Sequence, residues 1–188
     1  SVRSHDIVAS YTDHVAGNLR LGERKLKVVV DAGNGTGGVV AVPLFRRLGL
    51  EVVSLFEEMD GRFPNHHPDP TVEENLAHLQ AKVRETGADL GIAYDGDADR
   101  VGAVDEKGQV LWGDQLMVLF SRALLAEVPG AAIVAEVKCS MTLFDDIARH
   151  GGRGIMWKAG HSIIKAKMKE EQALLAGEMS GHIFFGHR

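Results

Sequence analysis

The chemistry of this chain is concentrated in six residues, Asp95-Gly96-Asp97-Ala98-Asp99-Arg100. They set three carboxylates at alternate positions and end on a guanidinium. The apolar runs Leu90-Gly91-Ile92-Ala93-Tyr94 and Val101-Gly102-Ala103-Val104 flank them and read as buried strands, so the loop sits at a rigid strand end. Carboxylates this close repel one another unless a cation lies between them. Oxygen-only donors select a hard ion, Mg²⁺ or Ca²⁺, over Zn²⁺. The plain alternative is a solvated acidic turn. Asp95, Asp97, Asp99 and Glu106 also match the acidic positions of the helix-loop-helix Ca²⁺ loop, but Arg100 stands where its sharp turn requires glycine. Strands rather than helices flank the loop, and that reading fails.

Two further loops carry possible chemistry. Glu178-Met179-Ser180-Gly181-His182 puts an acceptor, a hydroxyl and an imidazole on one short segment, which suits a polyol better than a metal. Gly181 would let a ring approach the backbone. The alternative is a polar strand turn. Gly33-Asn34-Gly35-Thr36-Gly37-Gly38 matches GxGxxG between a strand and a helix, the pattern of a dinucleotide-binding oxidoreductase, with Glu51 placed downstream to hold a ribose. Asp31 would then face a pyrophosphate with the wrong charge. A non-catalytic metal-binding module is the other alternative. Taken alone, Lys138 reads as a solvated lysine and His161 as a residue of a helix N-terminus. Cys139 has nothing obvious beside it except Lys138 to lower its pKa.

The elements around these loops follow from periodicity. Ile7, Tyr11, Val15 and Leu19 form one helical stripe, and Lys27-Val28-Val29-Val30 a buried strand. The helix after the glycine loop contains Pro43, which would shorten or kink it. Strand Glu51 to Phe56 follows, then a stiff loop, Phe63-Pro64-Asn65-His66-His67-Pro68-Asp69-Pro70. Val72, Leu76, Leu79 and Val83 restart a helix. The order β-α-β-α-β predicts a largely parallel α/β sheet. Glu106 to Gln109 reads as a tight turn, and Asp114 as the N-cap of a new helix. The same order then repeats: strand 131–137, helix from Met141, strand 154–157, helix from Ser162, strand 173–176. The expected architecture is α/β, two similar units with largely parallel, mixed sheets flanked by helices. They span 1–110 and 111–188, the second incomplete. A polar loop interrupts the third strand of both halves, a weak internal repeat of layout.

Composition bounds the class. At 188 residues the chain buries a real core, and 45% hydrophobic with 25% charged residues is ordinary for a soluble protein. A net charge of −5 with no Lys/Arg cluster gives nucleic acid no basic face. One cysteine excludes an intramolecular disulfide framework and fits a reducing cytoplasm. No run reaches the length of a membrane span, and the polar start at Ser1 is no signal peptide. A chain that begins in mid-pattern and stops at Arg188 after an apolar strand is expected to be a fragment.

The sequence DGDADR resembles the metal loop of the α-D-phosphohexomutases, the phosphoglucomutases and phosphomannomutases. GEMSGH is close to word for word the sugar-binding loop of their bacterial bifunctional members. Trp157-Lys158-Ala159-Gly160-His161-Ser162 resembles the WKTGHS segment, with Ala159 where threonine is usual, and Val137-Lys138-Cys139-Ser140 a VKCS-like loop. In that family a DAGNGTGG-like segment and the FPNHHPDP frame recur as structural loops, so His66 and His67 are given no metal. The resemblance covers nearly the whole chain, its motifs in the family's order. It implies the family's second domain and the first part of its third. It also implies Mg²⁺ on Asp95, Asp97 and Asp99, and catalytic roles for Arg100 and His182. Substrate contacts would come from Lys138, His161, Glu178, Met179, Ser180, Gly181 and His182. The reaction implied is reversible phosphoryl transfer between O1 and O6 of mannose or glucose phosphates, through a hexose 1,6-bisphosphate. A phosphoserine on one of the remaining domains of the same protein would be the donor, so this chain alone is expected to be inactive.

Overall fold

The computed structural model describes residues 2–3 and 5–186; Ser1, Ser4, His187 and Arg188 lie outside the described residues, and with them both chain ends. Two compact units make up the chain, Ser1–Ala98 with Val104–Val110 and Asp99–Ala103 with Leu111–Arg188. Among the described residues no helix is long and apolar enough to cross a membrane.

The first unit is built on β1 (Lys27–Asp31), whose Val28, Val29 and Val30 are wholly buried. β2 (Glu51–Leu55) and β3 (Leu90–Tyr94) pair with it in parallel, with Val28 opposite both Val52 and Leu90. β4 (Val101–Asp105) and β5 (Val110–Leu111) complete the strand order β2-β1-β3-β4-β5. The buried valine run fits a strand covered on both faces. The turn between β4 and β5 closes where expected, the Asp105 N–H donating to the Gln109 carbonyl at 2.9 Å.

Three helices accompany this sheet, and each departs from the sequence reading at one point. α1 (Val8–Asn18) does not bury its Ile7-Tyr11 stripe: Ile7 precedes the helix and Tyr11 is 51% exposed. Its buried residue is Thr12, whose hydroxyl donates to the Val8 carbonyl at 2.8 Å and so tolerates burial. α2 (Gly37–Arg47) is not cut short at Pro43 but continues for a turn beyond it. The proline stands on the exposed side, and the carbonyl it deprives of a donor belongs to Val39, which is also exposed and open to water. A 3-10 turn (Glu73–Leu76) leads into α3 (Ala77–Thr86); Leu76, Leu79 and Val83 are buried, but Val72 lies before both and is exposed.

The second unit repeats the plan. β6 (Ala132–Glu136), buried along its whole length, pairs in parallel with β7 (Arg153–Trp157) and β8 (Leu175–Gly177). β9 (Ile183–Phe185) returns antiparallel to β8, giving the order β7-β6-β8-β9. α4 (Gly113–Glu127), α5 (Met141–Arg149) and α6 (His161–Glu170) complete it, Met117, Leu143 and Ile147 closing one core with Ile133 and Leu175. Trp112, not Asp114, is the N-cap of α4, its N–H donating to Gln115 Oε1 at 2.8 Å. Asp114 serves another helix: its Oδ2 accepts the N–H of Ser140, the N-cap of α5, at 2.9 Å. In both sheets the first strand is central, the second lies on one side of it and the third on the other. The fourth follows the third.

Candidate functional site

The loop from β3 to β4 gathers Asp95, Asp97 and Asp99, each bringing one oxygen within 4.8 Å of the others; among the described residues no other His/Cys/Asp/Glu cluster of this kind occurs. Asp95 is buried, Asp97 and Asp99 are exposed, and Arg100 is half-buried. An all-carboxylate set of that span suits a hard divalent cation. The loop turns on Ala98, whose N–H donates to the Asp95 carbonyl at 3.2 Å and whose φ is +62°. A side chain in the left-handed region is disfavoured.

The glycine loop supports this turn from below. The Thr36 N–H donates to the Gly96 carbonyl at 3.0 Å. A Cβ at Gly35 would lie 2.7 Å from that same oxygen, and one at Gly38 would strike the Glu57 carbonyl. The close approach that these glycines permit is therefore to the protein's own backbone, where a dinucleotide reading needs them against a pyrophosphate. Asp31 is buried beside them, accepting the Gly33 N–H at 2.9 Å and lying 3.1 Å from His66 Nε2. That bond holds the His66 pKa above the ordinary imidazole value, against the opposing effect of burial.

The second loop joins β8 to β9. The Glu178 N–H donates to the His182 carbonyl at 3.0 Å and the Gly181 N–H to the Glu178 carbonyl at 3.1 Å. Gly181 has φ +93° with the Val101 backbone against it, a position only glycine fills without strain. Glu178 is almost wholly buried, and its Oε1 accepts the Gly160 N–H at 2.5 Å. Ser180 Oγ is 2.9 Å from His182 Nδ1, and Glu178 Oε2 is 3.1 Å from the same nitrogen. His182 Nε2 lies 3.1 Å from Asp99 Oδ1, and the His161 ring is 5.7 Å from that of His182.

Of the expected residues, the structure thus brings Glu178, Ser180, Gly181, His182 and His161 together, with Met179 half-buried in the same turn. Lys138 stands on the turn after β6, its side chain 61% exposed. Cys139 is no nucleophile: burial, and then the charges of Glu136 and Asp114, push its thiol up to about 12. Sequence reasoning missed Glu136, the buried carboxylate that accepts the Met179 N–H at 2.8 Å. Its signal was a charge closing the apolar run Ala131 to Ala135.

Comparison with known proteins gives the family. Residues 9–108 match the family model for phosphoglucomutase/phosphomannomutase alpha/beta/alpha domain II, and residues 112–188 that for domain III. A phosphomannomutase/phosphoglucomutase of Pseudomonas putida is 54% identical over 187 residues, covering 100% of this chain and 40% of its own length. A crystal structure of a phosphoglucomutase/phosphomannomutase family protein from Burkholderia thailandensis superposes with TM-score 0.92 at 48% identity, over 96% of this chain and 39% of that one. N-acetylphosphoglucosamine mutase of Aspergillus fumigatus, solved with GlcNAc-6P and magnesium, shares the fold at TM-score 0.66 and 18% identity, over 95% of this chain and 39% of its own. The chain spans about 40% of the length of the Pseudomonas putida relative. With both domain models matched in order along a chain half identical to such an enzyme, this chain belongs to the phosphoglucomutase/phosphomannomutase family.

Proposed function

We propose that this chain supplies the cation loop and the sugar loop of a mutase that moves a phosphoryl group reversibly between O1 and O6 of glucose and mannose phosphates. The observation that carries the reading is the convergence of three carboxylate oxygens within 4.8 Å on one turn of a family member. A phosphoserine on a part of the protein outside this chain donates the group, and a hexose 1,6-bisphosphate forms and reorients between the two transfers. Asp95, Asp97 and Asp99 hold magnesium, which when bound supplies positive charge against the phosphoryl oxygens. The magnesium in the Aspergillus fumigatus complex supports this choice of ion.

The protein's own groups do the rest. Arg100 holds a phosphate by its planar fork, and Lys138 and His161 add donors for the same charge. Glu178 Oε1 is engaged by Gly160 and Oε2 is buried against His182 Nδ1, so a sugar hydroxyl meets Oε2 by taking the place of that imidazole contact. Ser180 Oγ lies beside it, and Met179 and Gly181 shape the turn. Ser180 Oγ fixes His182 at Nδ1, and Nε2, which faces Asp99 Oδ1 at 3.1 Å, is the nitrogen that takes up and returns the proton of a sugar oxygen.

The test is a coupled assay of glucose 1-phosphate conversion to glucose 6-phosphate, primed with the bisphosphate. In the full-length protein Asp97→Asn should lower turnover by roughly a hundredfold or more, the scale of losing one electrostatic stabiliser, with the melting temperature little changed. The 188-residue chain alone, supplied with Mg²⁺, should show no turnover. Unchanged turnover of Asp97→Asn at limiting Mg²⁺, or sustained turnover by the isolated chain, would refute the reading.

A further inference from the structure

Glu136 ends β6, a strand whose four other residues are apolar and buried. Its Oε1 accepts the Met179 N–H at 2.8 Å and lies 3.3 Å from Lys138 Nζ. Its Oε2 is shut from solvent with no hydrogen-bond partner among the described residues. A carboxylate cut off from water depends on the few positive groups that reach it. Lys138 reaches it from the exposed side, and its ammonium has further N–H donors to direct elsewhere. A neighbouring strand ends in the same way: β8 pairs with β6 through Ala135 and Gly177, and the next residue, Glu178, is a second buried carboxylate. Glu136 ties the turn after β6 to the turn after β8, through Lys138 and Met179. Glu178 ties the turn after β8 to the turn after β7, through Gly160.

We propose that Glu136 is a positioning residue of the substrate site. It fixes the Met179 amide in the 178–182 turn and tethers the Lys138 ammonium so that its free donors face the phosphate of a hexose phosphate. The proposal rests on the reading of Lys138 and Glu178 as substrate contacts.

The experiment is a double-mutant cycle in the full-length protein with glucose 1-phosphate as substrate. Glu136→Gln keeps a carbonyl acceptor for Met179 but removes the charge that holds Lys138. It should raise KM roughly fivefold, the scale of one lost ion pair, with kcat changing less. In a Lys138→Met background the same change should leave KM nearly unmoved, because the two groups act as one. Equal effects in both backgrounds, or no rise in KM, would overturn the tether. If Lys138→Met and Glu178→Gln both leave KM unchanged, the site reading falls and takes this inference with it. If both raise KM and Glu136→Gln does not, the inference alone fails. Stability gives a reading independent of turnover. Lys138→Met strips the buried carboxylate of its counter-charge and should lower the melting temperature, and adding Glu136→Gln should restore part of the loss. A double variant no more stable than Lys138→Met also overturns it.

Discussion

Gly35→Ala places one methyl group against the turn that carries the aspartates, although the two are some sixty residues apart in sequence. The new Cβ would meet the Gly96 carbonyl oxygen at 2.7 Å, the Gly96 Cα at 3.0 Å and the Asp95 carbonyl oxygen at 3.1 Å. All three are backbone atoms, so no side-chain rotation relieves the contact. Reaching ordinary separation of 3.4 Å requires the Gly96 carbonyl to withdraw by about 0.7 Å, which loosens the bond it accepts from the Thr36 N–H. Overpacking of this kind costs about 1–3 kcal/mol, and the weakened hydrogen bond about 1 more. For a chain of this size that is a fall in melting temperature of roughly 4–16 °C. The displacement also moves Asp95 and Asp97, the neighbours of Gly96. An ion that demands near-ideal octahedral geometry should then bind about tenfold more weakly, close to 1.4 kcal/mol. Thermal melts and calorimetric Mg²⁺ titration of the same preparation read the two effects separately. A melting temperature lowered as calculated with unchanged Mg²⁺ affinity would confine the glycine loop to a scaffolding role. If neither changes, the close approach argued here is wrong.

Two other substitutions test the same unit. His66 Nε2 faces the Asp31 carboxylate at 3.1 Å and Nδ1 faces the His67 carbonyl at 3.0 Å, so the doubly protonated ring satisfies both acceptors. Its raised pKa makes this stabilisation complete below the ordinary value of 6.5 and lost as pH rises through the raised one. Urea unfolding at several pH values across neutrality should show the loss in the natural chain and a smaller loss in His66→Gln; identical slopes would refute it. Ala98→Gly relieves a φ of +62° and should gain about 0.5–1 kcal/mol despite glycine's greater entropy when unfolded, measured as a higher urea midpoint. A lower midpoint would mean that the methyl group packs usefully.

What could be read from the letters was whatever a local pattern determines. Val28 to Val30 announce a central strand, and alternating aspartates between two apolar runs announce a loop that gathers its carboxylates. Gly33 to Gly38 announced too little: the same letters serve a pyrophosphate cradle or a backbone-to-backbone contact, and only the position of Gly96 separates the two. Asp114 was legible as a helix cap but not as the cap of another helix, because its partner Ser140 is 26 residues on. The α1 stripe misled because a weakly amphipathic helix offers several faces, and the one used turns on Thr12 satisfying its own hydroxyl. The role of Glu136 was not legible for a related reason. A lone charge at a strand end has no periodicity, and its meaning comes from Met179, 43 residues away.

The two sheets share one wiring, and the acidic loop and the GEMSGH loop occupy the same address in it, the excursion between third and fourth strand. A scaffold present twice offers two copies of that address, each able to carry its own residues. Under the roles proposed above, one copy carries the cation and the other meets the sugar hydroxyls. Sugar preference can then drift through Glu178 to Ser180 while the aspartates and His182 stay untouched. Recognition and phosphoryl chemistry become separately heritable traits, which is how one wiring diagram could serve mutases of several hexoses.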